Sequence, residues 1–369
     1  MTTTLTEKTT PTTGTAPTAV HQADLDAFSG RMLAVLNGGS LALMISIGHR
    51  TGLFDALARV GPTSSQGLAA AAGLSERYVR EWLGAMTTGA IVEHDPRAGT
   101  FALPAAAAAL LTRGGPINLA VVQQFIGVLG AAEDAVVESF RRGGGVPYQG
   151  FTRFHEVMAE QSAQLVVARL EQAVLPLVPG LAARLEAGID VLDVGCGFGR
   201  ALRWLARRFP ASRFTGYDLC PEAVAAARAE AAPEGLSNLR YEVRDVTDLG
   251  ETGARDLVTA FDAIHDQAHP DRVLAGVRRT LRPQGVFLMQ EIRAESCLAH
   301  NLDHPSGPFM YTVSAMHCMT VSLAQGGQGL GTAWGRQQAR AHLDAAGFGQ
   351  VEVHSPEDDP FNDWYVARP

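Results

Sequence analysis

Apolar positions in the first third of the chain recur at helical spacing. Met32, Leu33, Leu36, Leu43 and Met44 fall near one helical face, and Ile47, Leu53, Phe54 and Leu57 continue it, predicting helices over 24–60. A short helix before Gly73 and a second from Glu76 to Thr88 follow, with Gly73 suited to a C-cap and Ser75 to an N-cap. Tyr78, Val79, Trp82, Leu83 and Met86 form the apolar face of the second. Ile91 to Glu93, a turn at Asp95-Pro96-Arg97-Ala98-Gly99, and Thr100 to Leu103 read as a hairpin. Helix, turn, helix and hairpin make a winged-helix pattern. Residues 116–186 are mostly helical, with a loop at 141–148 and a further helix opened by Phe151, Phe154, His155 and Met158. From 189 the period changes. Strand-like runs at 189–194, 212–217, 239–243, 256–261, 285–291, 350–354 and 363–367 are mostly separated by helical patterns at 199–209, 221–232, 271–281 and 333–346. Alternating strands and helices predict an α/β, doubly wound, Rossmann-like sheet behind the helical winged-helix region.

The expected organisation is a tail over 1–22, a helical and winged-helix dimerisation domain over 23–115, a helical linker and substrate lid over 116–186, and a catalytic domain over 187–369. The first 20 residues are threonine-rich, hold Pro11 and Pro17, and contain no apolar stretch of signal-peptide type, so they read as a disordered tail.

Composition narrows the function classes. Hydrophobic residues are 46% and charged residues 18% of 369, which excludes a disordered chain and a coiled coil. No apolar run of about 18 residues lacks both charges and several glycines, so no membrane span is expected. The four cysteines, Cys196, Cys220, Cys297 and Cys318, show no CxxC pairing and point to a reducing cytoplasm. Lys8 is the only lysine in an alanine-rich chain, which suits a GC-rich bacterial genome. A winged helix raises DNA binding, including a cofactor-responsive regulator, as an alternative function. Against it, the net charge is −8. Residues 50–113 hold six Arg against five Asp and Glu, without the cationic surplus that phosphate contacts need.

Val191-Leu192-Asp193-Val194-Gly195-Cys196-Gly197-Phe198-Gly199 ends a strand and opens a helix. Its glycines let backbone approach a ligand, but G-x-G-x-G is not the dinucleotide spacing. Asp193 would repel a pyrophosphate and accept from an ammonium group. Nineteen residues after Gly199, Asp218 follows a strand, where a carboxylate takes ribose hydroxyls. Asp245 follows the next strand, placed to accept from an adenine amino group while Val246 offers a backbone N–H. With Gly216-Tyr217-Asp218-Leu219 and Leu281-Arg282-Pro283-Gln284-Gly285-Val286, this set resembles class I S-adenosylmethionine-dependent methyltransferases over about 185–369. The front half looks like the dimerising domain of plant-type small-molecule O-methyltransferases, in a layout shared by a bacterial group. The resemblance implies S-adenosylmethionine as cofactor, S-adenosylhomocysteine as product, and cofactor roles for Asp193, Gly195, Cys196, Gly197, Asp218, Leu219, Asp245, Val246 and Phe261. It also implies a last strand running antiparallel and a homodimer with an apolar interface.

Methyl transfer is an in-line displacement in which the protein aligns the nucleophile and excludes water. A hydroxyl acceptor also needs a base. His265-Asp266 occupies the segment where plant-type O-methyltransferases carry a His-Asp pair with the His as base, although Gln267 replaces the tryptophan that follows it there. A histidine that only caps the helix or packs on cofactor is the alternative. Glu291 is the natural orienting carboxylate, with Glu295 behind it. Phe154 and the stretch holding Met310, Tyr311, Met316 and His317 suit the walls of a small, partly apolar acceptor site. Cys297, His300, His304 and Cys318 lack the spacing of a structural zinc site, so no metal is expected. The glycine-rich 325–331 reads as either a mobile lid or a surface loop. The expected function is methyl transfer to a small acceptor, at oxygen with His265 as base; nitrogen or carbon transfer without a base stays open.

Overall fold

The computed structural model describes residues 20–369. The tail expected over 1–22 lies, up to residue 19, outside the described residues. The first helix, α1 (Gln22–Thr51), ends where Gly52 turns left-handed at φ 74°. That turn splits the expected 24–60 helical run and starts α2 (Leu53–Val60). Next come α3 (Ser65–Ala72), capped by Ser64 accepting from the Gly67 N–H, and α4 (Glu76–Thr88). Gly73 closes α3 as anticipated, whereas Ser75 precedes α4 without a side-chain cap bond. The wing is β1 (Glu93–Asp95) paired antiparallel with β2 (Thr100–Ala102). Leu53, Phe54, Leu57, Leu68, Val79, Trp82, Leu83 and Met86 share one core. The Trp82 indole N–H donates to the Met44 carbonyl at 2.9 Å, which pins α1 to this core.

The opposite side of α1 is apolar and bare: Leu25, Phe28, Met32, Leu33, Val35, Leu36, Leu43 and Ile47 are all exposed. By length and composition α1 is long and apolar enough to cross a membrane. That corrects the expectation from the sequence, which counted the glycines of this stretch as disqualifying; a helix tolerates them.

Five helices lead into the sheet: α5 (Ala105–Leu111), α6 (Ala120–Gly130), α7 (Glu133–Arg142), α8 (Phe154–Leu165) and α9 (Leu181–Ala187). Then β3 (Asp190–Val194), α10 (Arg200–Arg208), β4 (Arg213–Asp218), α11 (Pro221–Ala231), β5 (Leu239–Val243), β6 (Arg255–Phe261), α12 (Pro270–Thr280) and β7 (Leu281–Ile292) alternate. After β7 the chain forms α13 (Gly307–Val313), a π-helical turn over Ser314–Cys318, α14 (Met319–Ala324), α15 (Gly335–Ala345), β8 (Gln350–His354) and β9 (Asn362–Arg368).

The seven strands order as β5-β4-β3-β6-β7-β9-β8. β9 points opposite to the other six strands and pairs antiparallel with both β7 and β8, as the resemblance implied. One core lies on each face of the sheet, one around Val191, Leu202, Leu205 and Phe214, the other around Leu192, Val258, Ile264 and Val277. Strand order reverses between β3 and β6, so a crevice opens at their carboxyl ends, where open α/β sheets take ligands.

Candidate active site

The crevice holds a cavity. The loop after β3 forms its floor, with Gly195, Gly197 and Gly199 all at positive φ. A side chain at Gly195 would run into Ala263. One at Gly197 would meet no protein atom within 4 Å, which leaves the open backbone a ligand needs beside it. All nine residues expected to bind cofactor line this cavity: Asp193, Gly195, Cys196, Gly197, Asp218, Leu219, Asp245, Val246 and Phe261.

The acids differ in state. Asp193 is buried, and burial pushes its carboxyl up to about 7 against the opposing Thr259 hydroxyl, which donates to it at 2.6 Å. Asp218 accepts from the Gly197 N–H at 2.8 Å through Oδ2 and from the Cys220 N–H at 2.8 Å through Oδ1. It therefore fastens the glycine loop to the end of β4 while facing the cavity. Asp245 lies exposed at the rim and accepts from the Thr247 N–H at 2.8 Å. Carboxylates around an open glycine loop suit a ligand that is cationic and rich in hydroxyl and amine donors, and so fit an adenosyl sulfonium.

The expected catalytic trio assembles, but only Asp266 lines the cavity. His265 is 1% exposed. Its Nδ1 lies 2.5 Å from Glu291 Oε2 and its Nε2 3.1 Å from Asp266 Oδ1. Burial alone favours the neutral ring, but the two carboxylates outweigh it and hold His265 well above its ordinary range. The two carboxylates thus favour the charged ring over the neutral one. His265 therefore lies buried between two acids, Glu291 and Asp266, behind the cavity wall. In return His265 holds Asp266 below the usual carboxylate range despite the burial that opposes it. Glu291 also accepts from the Ile264 N–H and the Trp334 indole.

Of the expected acceptor walls, Phe154 and His317 line the cavity and Met310, Tyr311 and Met316 do not. Met310 is buried under Thr332, Tyr311 faces outward with its hydroxyl at Asn301, and Met316 packs on the Phe125 cluster. The π-helical turn rotates the chain so that His317 turns inward instead. Tyr148, His155, Met158, Asp262, Gln267 and Gln325 also line the wall, and the sequence did not single them out as site residues. Tyr148, His155 and Met158 had a signal in the aromatic cluster around Phe154. Asp262 had only its place at the carboxyl end of a strand: it sits after β6 at φ 58°, strained for a non-glycine, with Oδ1 buried and without a hydrogen bond. Burial pushes its carboxyl up to about 7. The glycine-rich 325–331 is tied down by the Gln328 N–H to Ala268 and the Gly329 N–H to Ser322. Cys297 is exposed while Cys318 is buried, and among the described residues Cys297, His300, His304 and Cys318 form no four-ligand set.

In α4 both cations are taken: Arg77 pairs with Glu81, and Arg80 with Glu76. The helix presents no free positive stripe to DNA phosphates.

Known proteins share both halves. Residues 39–113 match the Rv2258c-like winged HTH domain, and residues 185–344 match a methyltransferase domain. A trans-aconitate 2-methyltransferase of Deinococcus radiodurans is 32% identical over 150 residues, 41% of this chain and 52% of that protein. The chain spans about half the length of the curated relatives it matches. Among solved structures, the mitomycin 7-O-methyltransferase MmcR superposes with TM-score 0.68 at 19% identity over 95% of this chain and 100% of that one. Human N-acetylserotonin methyltransferase, solved with S-adenosylmethionine, gives 0.67 at 17% over 96% and 99%. At these identities the likeness is one of fold. Residues 39–113 and 185–344 thus carry, in that order, a winged HTH domain and a methyltransferase domain.

Proposed function

We propose that this chain is an S-adenosylmethionine-dependent methyltransferase acting on oxygen in a small, partly apolar acceptor, and that it works as a homodimer. The observation that carries the reading is one cavity lined by the glycine loop, by Asp193, Asp218 and Asp245, and by Asp266 of the His265 pair. The bound cofactor supplies an electrophilic methyl group and its own neutral leaving group.

The residues of the chain divide the remaining work. Asp218 and Asp245 receive the ribose and adenine donors, and the Gly195–Gly197 backbone and Asp193 receive the amino-acid end. Phe154, Tyr148 and Phe261 exclude water from the acceptor side. Asp266 stands between the cavity and His265, so the acceptor proton passes to the Asp266–His265 pair, with Glu291 orienting the ring from behind. For that transfer the ring must first lose its proton, so the rate rises with pH through a midpoint above 6.5, the ordinary histidine value.

The bare apolar side of α1 supports self-association, since an exposed patch of eight large apolar side chains is an interface on most soluble proteins. The test of the function is release of S-adenosylhomocysteine across a panel of phenols, carboxylic acids and amines. Release that depends on an added hydroxyl compound and is lost in Asp218→Ala supports it. Cofactor binding with no release from any acceptor rejects catalysis.

A further inference from the structure

His317 is a polar side chain built into an apolar wall. Its ring stacks on Phe154 with centroids 3.3 Å apart and planes 8° from parallel. Phe151 meets it edge-on at 4.7 Å, and Tyr148 lies 5.8 Å away. It is 1% exposed, yet it lines the cavity beside Asp266. A histidine needed only to fill space would do so at the expense of a buried, unsatisfied ring nitrogen, and Nε2 is such an atom. The other nitrogen has neighbours: Nδ1 lies 3.9 Å from Asp266 Oδ2 and 3.7 Å from Cys318 Sγ. A ring proton on Nδ1, directed at the Cys318 sulfur and toward the negative charge of Asp266, leaves the lone pair on Nε2 free. His317 also sits in the π-helical turn, an irregularity that recurs at functional sites.

We propose that His317 determines acceptor specificity: its Nε2 accepts a hydrogen bond from a hydroxyl or N–H of the methyl acceptor that is not the group being methylated. The inference rests on the methyltransferase reading of this cavity and adds to it that the acceptor carries two donors. The ring cannot serve instead as a cation, because burial pushes it down to about 3. Nor is it a base of useful strength there. A site that holds a buried acceptor rejects a ligand lacking the matching donor far more strongly than it rejects a missing methylene.

The test uses the full chain saturated with S-adenosylhomocysteine, with nitrogen-labelled histidine, at pH 7. His317→Phe identifies the resonance and keeps the stack on Phe154. The expected free state is a neutral ring protonated at Nδ1. Catechol, with two adjacent donors, should shift the Nε2 signal and bind about 10- to 100-fold more tightly than phenol, and His317→Phe should abolish that preference. His317→Gln, which restores an acceptor, should recover part of it. His317→Phe should also melt no lower than the parent chain, since it removes an unsatisfied buried atom. An imidazolium, an Nε2–H tautomer, equal binding of phenol and catechol, no binding of either, or a melting temperature several degrees lower each overturns the proposal. Failure to bind S-adenosylhomocysteine at all would instead reject the methyltransferase reading beneath it.

Discussion

Replacing Glu291 by glutamine probes the buried charge at the centre of the site. One carboxylate serves three donors: the His265 ring at 2.5 Å, the Trp334 indole at 3.2 Å and the Ile264 N–H at 3.1 Å. An amide keeps one acceptor oxygen and turns an NH2 toward the remaining donors. Breaking a buried ion pair by removing one partner costs about 3–5 kcal/mol. Asp266 stays at 3.1 Å from Nε2 and relieves part of that, so a loss of about 2–3 kcal/mol is expected. In a chain of this size each kcal/mol lowers the melting temperature by roughly 2–4 °C, so the variant should melt about 4–12 °C lower. The sign with pH follows from linkage. His265 has a folded pKa raised above its unfolded value, so its contribution is fully present below about 6.5. It is lost as pH rises through the raised folded value. The gap between parent and variant, measured by scanning calorimetry, should therefore be widest near pH 6 and narrow at alkaline pH. A gap that is constant or grows with pH would refute the imidazolium, and with it the charge assignment of the trio.

Other outcomes follow from the same geometry. Asp218→Ala should weaken S-adenosylhomocysteine binding by about 1.5–3 kcal/mol in calorimetry, because it removes the ribose partner and frees the Gly197 and Cys220 N–H groups; unchanged affinity would take Asp218 out of the site. His265→Ala should lower kcat by about 10²–10⁴ with the true acceptor and leave cofactor affinity nearly intact, whereas a loss under about fivefold would reject the base role. Phe28→Asp combined with Leu36→Asp should convert a dimer to a monomer in light scattering; a parent chain that is already monomeric at micromolar concentration would reject the interface. Gly48→Ala places a methyl about 2.7 Å from Trp82 and 2.8 Å from Phe54, so it should cost about 1–3 kcal/mol in denaturant unfolding, and a neutral result would mean that α1 packs more loosely on the winged-helix core than it does here.

The strands of the sheet were legible because parallel strands buried on both faces leave nearly continuous apolar runs, as in Val191–Val194 and Leu257–Phe261. The glycine-loop end of the crevice was legible for a related reason. The glycines and the acids at successive strand ends are local in sequence, and all nine residues chosen there line one cavity. The opposite wall of the cavity was harder. It combines Tyr148 and Phe154 from ahead of the sheet with Asp262 and Gln267 after β6 and His317 after β7, and only tertiary packing sets these side by side. Within 310–317, plain helical spacing does not reveal which side chains turn inward, because the π-helical turn resets the phase and brings in His317 while Met316 packs elsewhere. The chemistry of His265 was half legible. His265-Asp266 and Glu291 could be named from the sequence, but the depth of burial and the second carboxylate at Nε2 could not, and they decide its charge.

The most direct measurement is equilibrium binding of S-adenosylmethionine to the full chain, followed by a structure of the S-adenosylhomocysteine complex. One molecule should bind per chain, with its ribose on Asp218, its adenine beside Asp245 and its sulfur facing Asp266. No binding, or binding outside the crevice formed by the β3 loop and the end of β6, would contradict the methyltransferase assignment.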